Sequence, residues 1–122
     1  MKAVIGITDW NGTRDELRDL ARRVDAGERL PEADYRLNFA SPLALLAELP
    51  PKRLAALREI KTAGPLTIYA LAKRLRRNYS NIHADVQRLI ELGLVEKDSE
   101  QRVLVPFDDV RVEADASLMA AA

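Results

Sequence analysis

Cysteine is missing from the chain. Its absence removes a disulfide framework, a thiolate metal site and a cysteine nucleophile at once. Histidine occurs once, as His83, so there is no second imidazole to share a metal or relay a proton. The five glycines are scattered and make no phosphate-cradling loop. Asp108-Asp109 is a paired carboxylate, but beside Pro106-Phe107 it reads as a turn into a last strand. These gaps argue against an enzyme, and no catalytic residue, metal or cofactor is expected. No apolar stretch reaches the length of a membrane span. The opening MKAVIGITDW has no signal-peptide h-region or cleavage site. We therefore expect a cytoplasmic protein with no membrane partner.

A net charge is missing as well, but the balance is a sum of unlike blocks. Residues 52–88 hold nine basic and two acidic side chains, or +7. The stretches 1–51 and 89–122 stand at −2 and −5. A polyanion meets the local patch rather than the net charge. With 48% apolar residues in 122, the chain is long enough for one compact domain and a small appendage.

Three segments are expected along the chain. Residues 1–49 read as strand-helix-strand plus a linking helix. Lys2 to Thr8 is a β-branched-rich strand, and Thr13 with Glu16 makes a capping box. Leu17, Leu20, Ala21 and Val24 follow at helical spacing, and Gly27 is the stop. Tyr35, Leu37 and Phe39 alternate with polar residues as a half-buried strand. Ser41-Pro42 opens a short helix. This segment is expected to carry dimerisation.

Residues 50–107 are patterned more sharply. Leu54, Leu57 and Ile60 mark a helix ended by Gly64-Pro65. Thr67 caps a second helix with an apolar stripe of Ile68, Leu71, Ala72 and Leu75. After a turn comes YSNIHADVQRLIEL, with Ile82, Val86 and Leu89 on one side and Gly93 as the stop. Val95 to Asp98 and Arg102 to Pro106 read as two strands. A three-helix core through Leu54, Leu57, Leu71, Leu75, Ile82, Val86 and Leu89 is the expectation. Residues 108–122 add a strand over Val110 to Ala114 and a weakly patterned tail.

The order is that of a winged helix-turn-helix, and the predicted fold class is α+β with that domain at its centre. A recognition helix at about 79–92 would enter the major groove of double-stranded DNA. Its outward side chains, Ser80, Asn81, Ala84, Gln87 and Arg88, are suited to base edges. Small residues permit close approach, amides pair with adenine, and arginine forks onto guanine. Thr67, Lys73, Arg74, Arg76, Arg77, Tyr79, His83, Lys97 and Arg102 are the candidates for phosphate contacts.

TIYALAKRLRRNYSNIHADVQRLIELGLVE resembles the helix-turn-helix of prokaryotic MarR-like winged-helix regulators. The nearer likeness is to a small group of predicted transcriptional regulators, some described as antitoxins of toxin–antitoxin pairs. Those chains also carry an N-terminal strand-helix-strand and a PKRL-type helix, here PPKRLAALREI. The likeness is specific from Lys52 to Pro106 and loose outside it. It implies a DNA-binding regulator, a repressor, that acts as a homodimer without catalysis. An antitoxin that binds a toxin protein and regulates its own promoter is the alternative implication. Two features depart from the group. Arg76 stands where many relatives have glycine, and the wing, EKDSEQR, is acidic for a groove-inserting loop.

Overall fold

The structure is a computed structural model that describes residues 1–7, 10–28 and 33–114. The side chains of Thr13 and Glu16, Thr8 at the end of the first predicted strand, and the tail 115–122 lie outside the described residues. The chain forms two compact units, one of 1–47 with 107–122 and one of 48–106.

In the first unit, β1 (Ala3–Ile7) is followed by α1 (Trp10–Asp25) and β2 (Tyr35–Phe39). β1 and β2 pair in parallel, Ala3 opposite Tyr35 and Ile5 opposite Leu37. A parallel pair needs a long crossover, and α1 is that crossover. β5 (Val110–Glu113) pairs in parallel with the other edge of β1, giving the order β2-β1-β5. β1 is central and buried from Ala3 to Gly6, which explains its continuous apolar run. Tyr35 stacks on Phe107 with ring centres 5.6 Å apart.

Helix α1 starts at Trp10 rather than Thr13. Gly27 is the predicted stop, with φ +79°, and the amides of Gly27 and Glu28 close onto Val24 and Arg23. The apolar stripe of α1 is uncovered: Leu17, Leu20 and Val24 are 58%, 41% and 56% exposed. α2 (Pro42–Glu48) follows β2, its first turn capped by Ser41 Oγ, which accepts from the Ala44 amide at 3.1 Å.

The second unit contains α3 (Pro51–Ala63), α4 (Ile68–Leu75), α5 (Tyr79–Glu91) and a hairpin of β3 (Glu96–Lys97) and β4 (Val103–Leu104). Its core is Ala56, Leu57, Ile60, Leu71, Ile82, Val86, Leu89, Leu94, Val95 and Val103. Leu54 and Leu75, expected in that core, are only half-buried. They line an open groove with Pro51, Ala55, Arg58, Glu59 and Thr62.

Leu66, ahead of α4, exchanges backbone hydrogen bonds with Val103 at 2.8 and 3.1 Å. This bridge ties the hairpin to the helices. Gly64 is needed for close approach: a Cβ there would lie 2.6 Å from the Ile60 carbonyl oxygen. Three helices, the second and third joined by a tight turn, and an antiparallel hairpin are the winged helix-turn-helix arrangement.

Candidate nucleic-acid interface

Local chemistry fixes both helices of the motif. Thr67 Oγ1 accepts from the Ala70 amide at 3.1 Å and caps α4, satisfying a donor that has no helical partner. The helix ends with Arg76 in the left-handed region, φ 53° and ψ 46°. The Arg76 and Arg77 amides then donate to Lys73 and Ala72, the two bonds of a Schellman closure. Glycine adopts this conformation without strain, whereas a side chain costs about 1 kcal/mol. Arg76→Gly should therefore raise the unfolding free energy by about 0.5–1 kcal/mol. A thermal melt checks this, and a lower midpoint would contradict the left-handed turn.

Asn78, not singled out on sequence, is the cap of α5. Its Oδ1 accepts from the Ser80 and Asn81 amides at 2.8 and 3.4 Å. Ile82, Val86 and Leu89 are fully buried. Their burial turns the opposite face outward, where Ser80, Asn81, His83, Ala84 and Gln87 are exposed. Among the described residues, the side chains of Ser80, Asn81 and Gln87 have no hydrogen-bond partner. Tyr79 is 49% exposed, with its ring centre 6.0 Å from that of His83.

The cations fall into two sets. Lys73, Arg76 and Lys97 are exposed and form no ion pair among the described residues. The Lys73 ammonium lies 5.3 Å from the ring centre of the exposed Tyr69. The remaining candidates hold carboxylates. Arg74 pairs with Glu59 at 2.7 Å. Arg102 pairs with Asp98 at 3.0 Å and Glu100 at 3.2 Å.

Arg77 is half-buried and 2.8 Å from Asp85 Oδ2. Asp85 is the buried charge of the helix, 8% exposed. Its Oδ1 accepts from Arg53 Nε at 3.1 Å. Its Oδ2 has the Arg77 ion pair without an aligned hydrogen bond. The same guanidiniums donate to the carbonyl oxygens of Glu48 (2.6 Å) and Lys52 (3.3 Å). Asp85 thus braces α5 against α3 and the preceding turn.

Arg88 is also engaged. Its Nε donates to Glu48 Oε2 at 2.7 Å and its Nη1 to Glu91 Oε2 at 2.8 Å. The hydrogen bond from Arg88 holds the Glu48 carboxyl below the usual range, and Glu48 in turn raises Arg88.

One of the wing's acids, Asp98, has a structural role. Asp98 Oδ1 accepts from the Glu100 and Arg102 amides at 2.9 and 3.0 Å. The Arg102 amide is foremost in pulling the Asp98 carboxyl below its ordinary range. The aspartate closes the turn that a positive-φ Gln101 completes.

Residues 48–112 match the model of a family described as HVO_A0114. A solved multiple antibiotic-resistance repressor (MarR) from Listeria monocytogenes is 26% identical, with a TM-score of 0.46. That match covers 80% of this chain and 64% of the other, so the chain spans under two thirds of that protein's length. No curated protein matches the sequence.

Proposed function

The chain belongs to the HVO_A0114 family, and we propose that it is a sequence-specific regulator of transcription, a repressor, that sets α5 in the major groove of double-stranded DNA. The observation that carries this is the outward face of α5. Ser80, Asn81, Ala84 and Gln87 are exposed there, in place of the Lys–Glu pairs of an ordinary solvated helix. Ser80, Ala84 and Gln87 form one stripe at i, i+4 and i+7, with Asn81 beside it. The hydrogen-bonding groups of Ser80, Asn81 and Gln87 suit base edges, and the small Ala84 permits close approach.

Thr67, Lys73, Arg76, Tyr79, His83 and Lys97 are the residues proposed to meet phosphates. Arg74, Arg77 and Arg102 would have to share or exchange a carboxylate to do so. Their contribution per residue is accordingly smaller.

One such motif reads only a few base pairs, so specificity calls for two, related by a two-fold axis. We propose that the chain acts as a homodimer joined through its first unit. Nine large hydrophobic side chains are exposed among the described residues. Seven belong to that unit: Met1, Leu17, Leu20, Val24, Leu43, Leu46 and Val112. The other two, Tyr69 and Tyr79, stand on α4 and α5.

The test is DNA titration at several salt concentrations, using a sequence selected from random DNA and an unselected one. The logarithm of the affinity should fall by about 0.9 per phosphate contact for each tenfold rise in salt. Lys73→Ala should weaken both DNAs alike and flatten that slope by about 0.9. Asn81→Ala or Gln87→Ala should narrow the gap between the two DNAs by about 1–3 kcal/mol. Salt-independent binding, or the same uniform loss from all three variants, would refute the assignment.

A further inference from the structure

We infer that the half-site beneath α5 is rich in A·T pairs, the groups recognised being adenine edges and thymine methyls. This rests on the DNA-binding proposal above and adds the class of base that is read.

Guanine is read in the major groove by arginine or lysine, whose paired donors meet O6 and N7. Between Tyr79 and Glu91, α5 has no lysine and a single arginine, Arg88. That guanidinium gives Nε to Glu48 and Nη1 to Glu91. A bidentate grip needs either Nε with Nη2 or Nη1 with Nη2. Each fork has therefore lost one donor, and Arg88 must break an ion pair before it can grip a guanine. The other unengaged cations nearby, Lys73 and Arg76, belong to α4 and its cap. In such motifs the first helix crosses the backbone rather than entering the groove.

The uncommitted groups on α5 have a different preference. Asn81 and Gln87 are exposed amides, and an amide is bidentate to adenine N6 and N7. Ala84 lies between them, exposed and apolar, matched to the thymine methyl. Ser80 accepts any base. Two adenine readers, one thymine reader and no free bidentate guanine reader leave A·T pairs as the favoured ligand of this surface.

The experiment is selection of bound sequences from random DNA with the full chain, followed by sequencing. Wild type should enrich an A·T core in each half-site. Exchanging one selected A·T pair for G·C should weaken binding about tenfold. The double variant Glu48→Gln, Glu91→Gln frees Arg88 and should bring guanine into one position of each half-site. Adding Arg88→Ala should remove it again. Melting curves confirm that each variant is folded.

The inference is overturned if wild type selects a guanine that Arg88→Ala abolishes. It is also overturned if wild type binds without base preference, or if the folded double variant selects the wild-type sequence unchanged. A chain that retains no DNA even at low salt refutes the DNA-binding proposal itself, and the two failures are thereby told apart.

Discussion

Asp85→Ala is expected to lower the unfolding free energy of the winged-helix unit by about 3 kcal/mol. Asp85 is 8% exposed, and it faces two guanidiniums whose side chains are only 20% and 21% exposed. Removing the carboxylate leaves both cations half-buried without a counter-charge, and burial of unpaired charge dominates the loss. In a unit of this size the melting midpoint should fall by more than about 10 °C. Asp85→Asn keeps the shape and one acceptor, so it should lose less. The measurement is denaturant or thermal unfolding of the full chain. A change under about 1 kcal/mol would reclassify the group as an ordinary surface ion pair. Because Asp85 lies on α5, the same variant should also lower DNA affinity at temperatures where it remains folded.

The second large effect concerns self-association. The full chain is expected to sediment as a dimer at tens of micromolar, and Leu17→Glu with Leu20→Glu as a monomer. Both side chains are largely exposed, at 58% and 41%, so charging them should leave the fold of one chain intact. Placed against a second copy, the same two carboxylates would be desolvated without partners. Losing the linked second motif should weaken binding to selected DNA at least a hundredfold, since an intramolecular second contact becomes a bimolecular one. A monomeric wild type, or a variant that dimerises as well as wild type, would end the proposal.

What could be read from sequence was what local chemistry decides. Thr67 ahead of an apolar stripe, Gly64-Pro65 and Gly93 mark the ends of α3, α4 and α5, and those ends fall where the signals stand. The exposed α5 face follows from the phase of Ile82, Val86 and Leu89. Asp85 was legible but overlooked. It stands three residues after Ile82 and four before Leu89, an acid on the apolar stripe, and such a residue needs buried cations. Its partners Arg53 and Arg77 are supplied by the tertiary fold.

Long-range pairings had no such signal. Glu48 meets Arg88 across 40 residues, and nothing near Arg88 reveals that contact. The alternation of Tyr35, Leu37 and Phe39 marks β2 but does not reveal that β1 is paired along both edges within its own chain, with β2 and with β5. An alternating pattern identifies a strand and is silent about its neighbour. The turn-closing role of Asp98 in the acidic wing is a backbone matter that the sequence does not announce.

The chain order of the β2-β1-β5 sheet has a consequence during synthesis. Val110 pairs with Ala3, so the two partners leave the ribosome more than a hundred residues apart. The whole 48–106 unit is made between them. That unit contains all of its own helices and hairpin and has what it needs to fold while β5 is still unmade. Until then the β5-facing edge of β1 offers a row of unpaired amides and carbonyls to any neighbouring nascent chain. A ribosome that stops before residue 110 therefore releases a folded winged helix attached to an open sheet. The vulnerable moment for this sheet is the interval before β5 arrives.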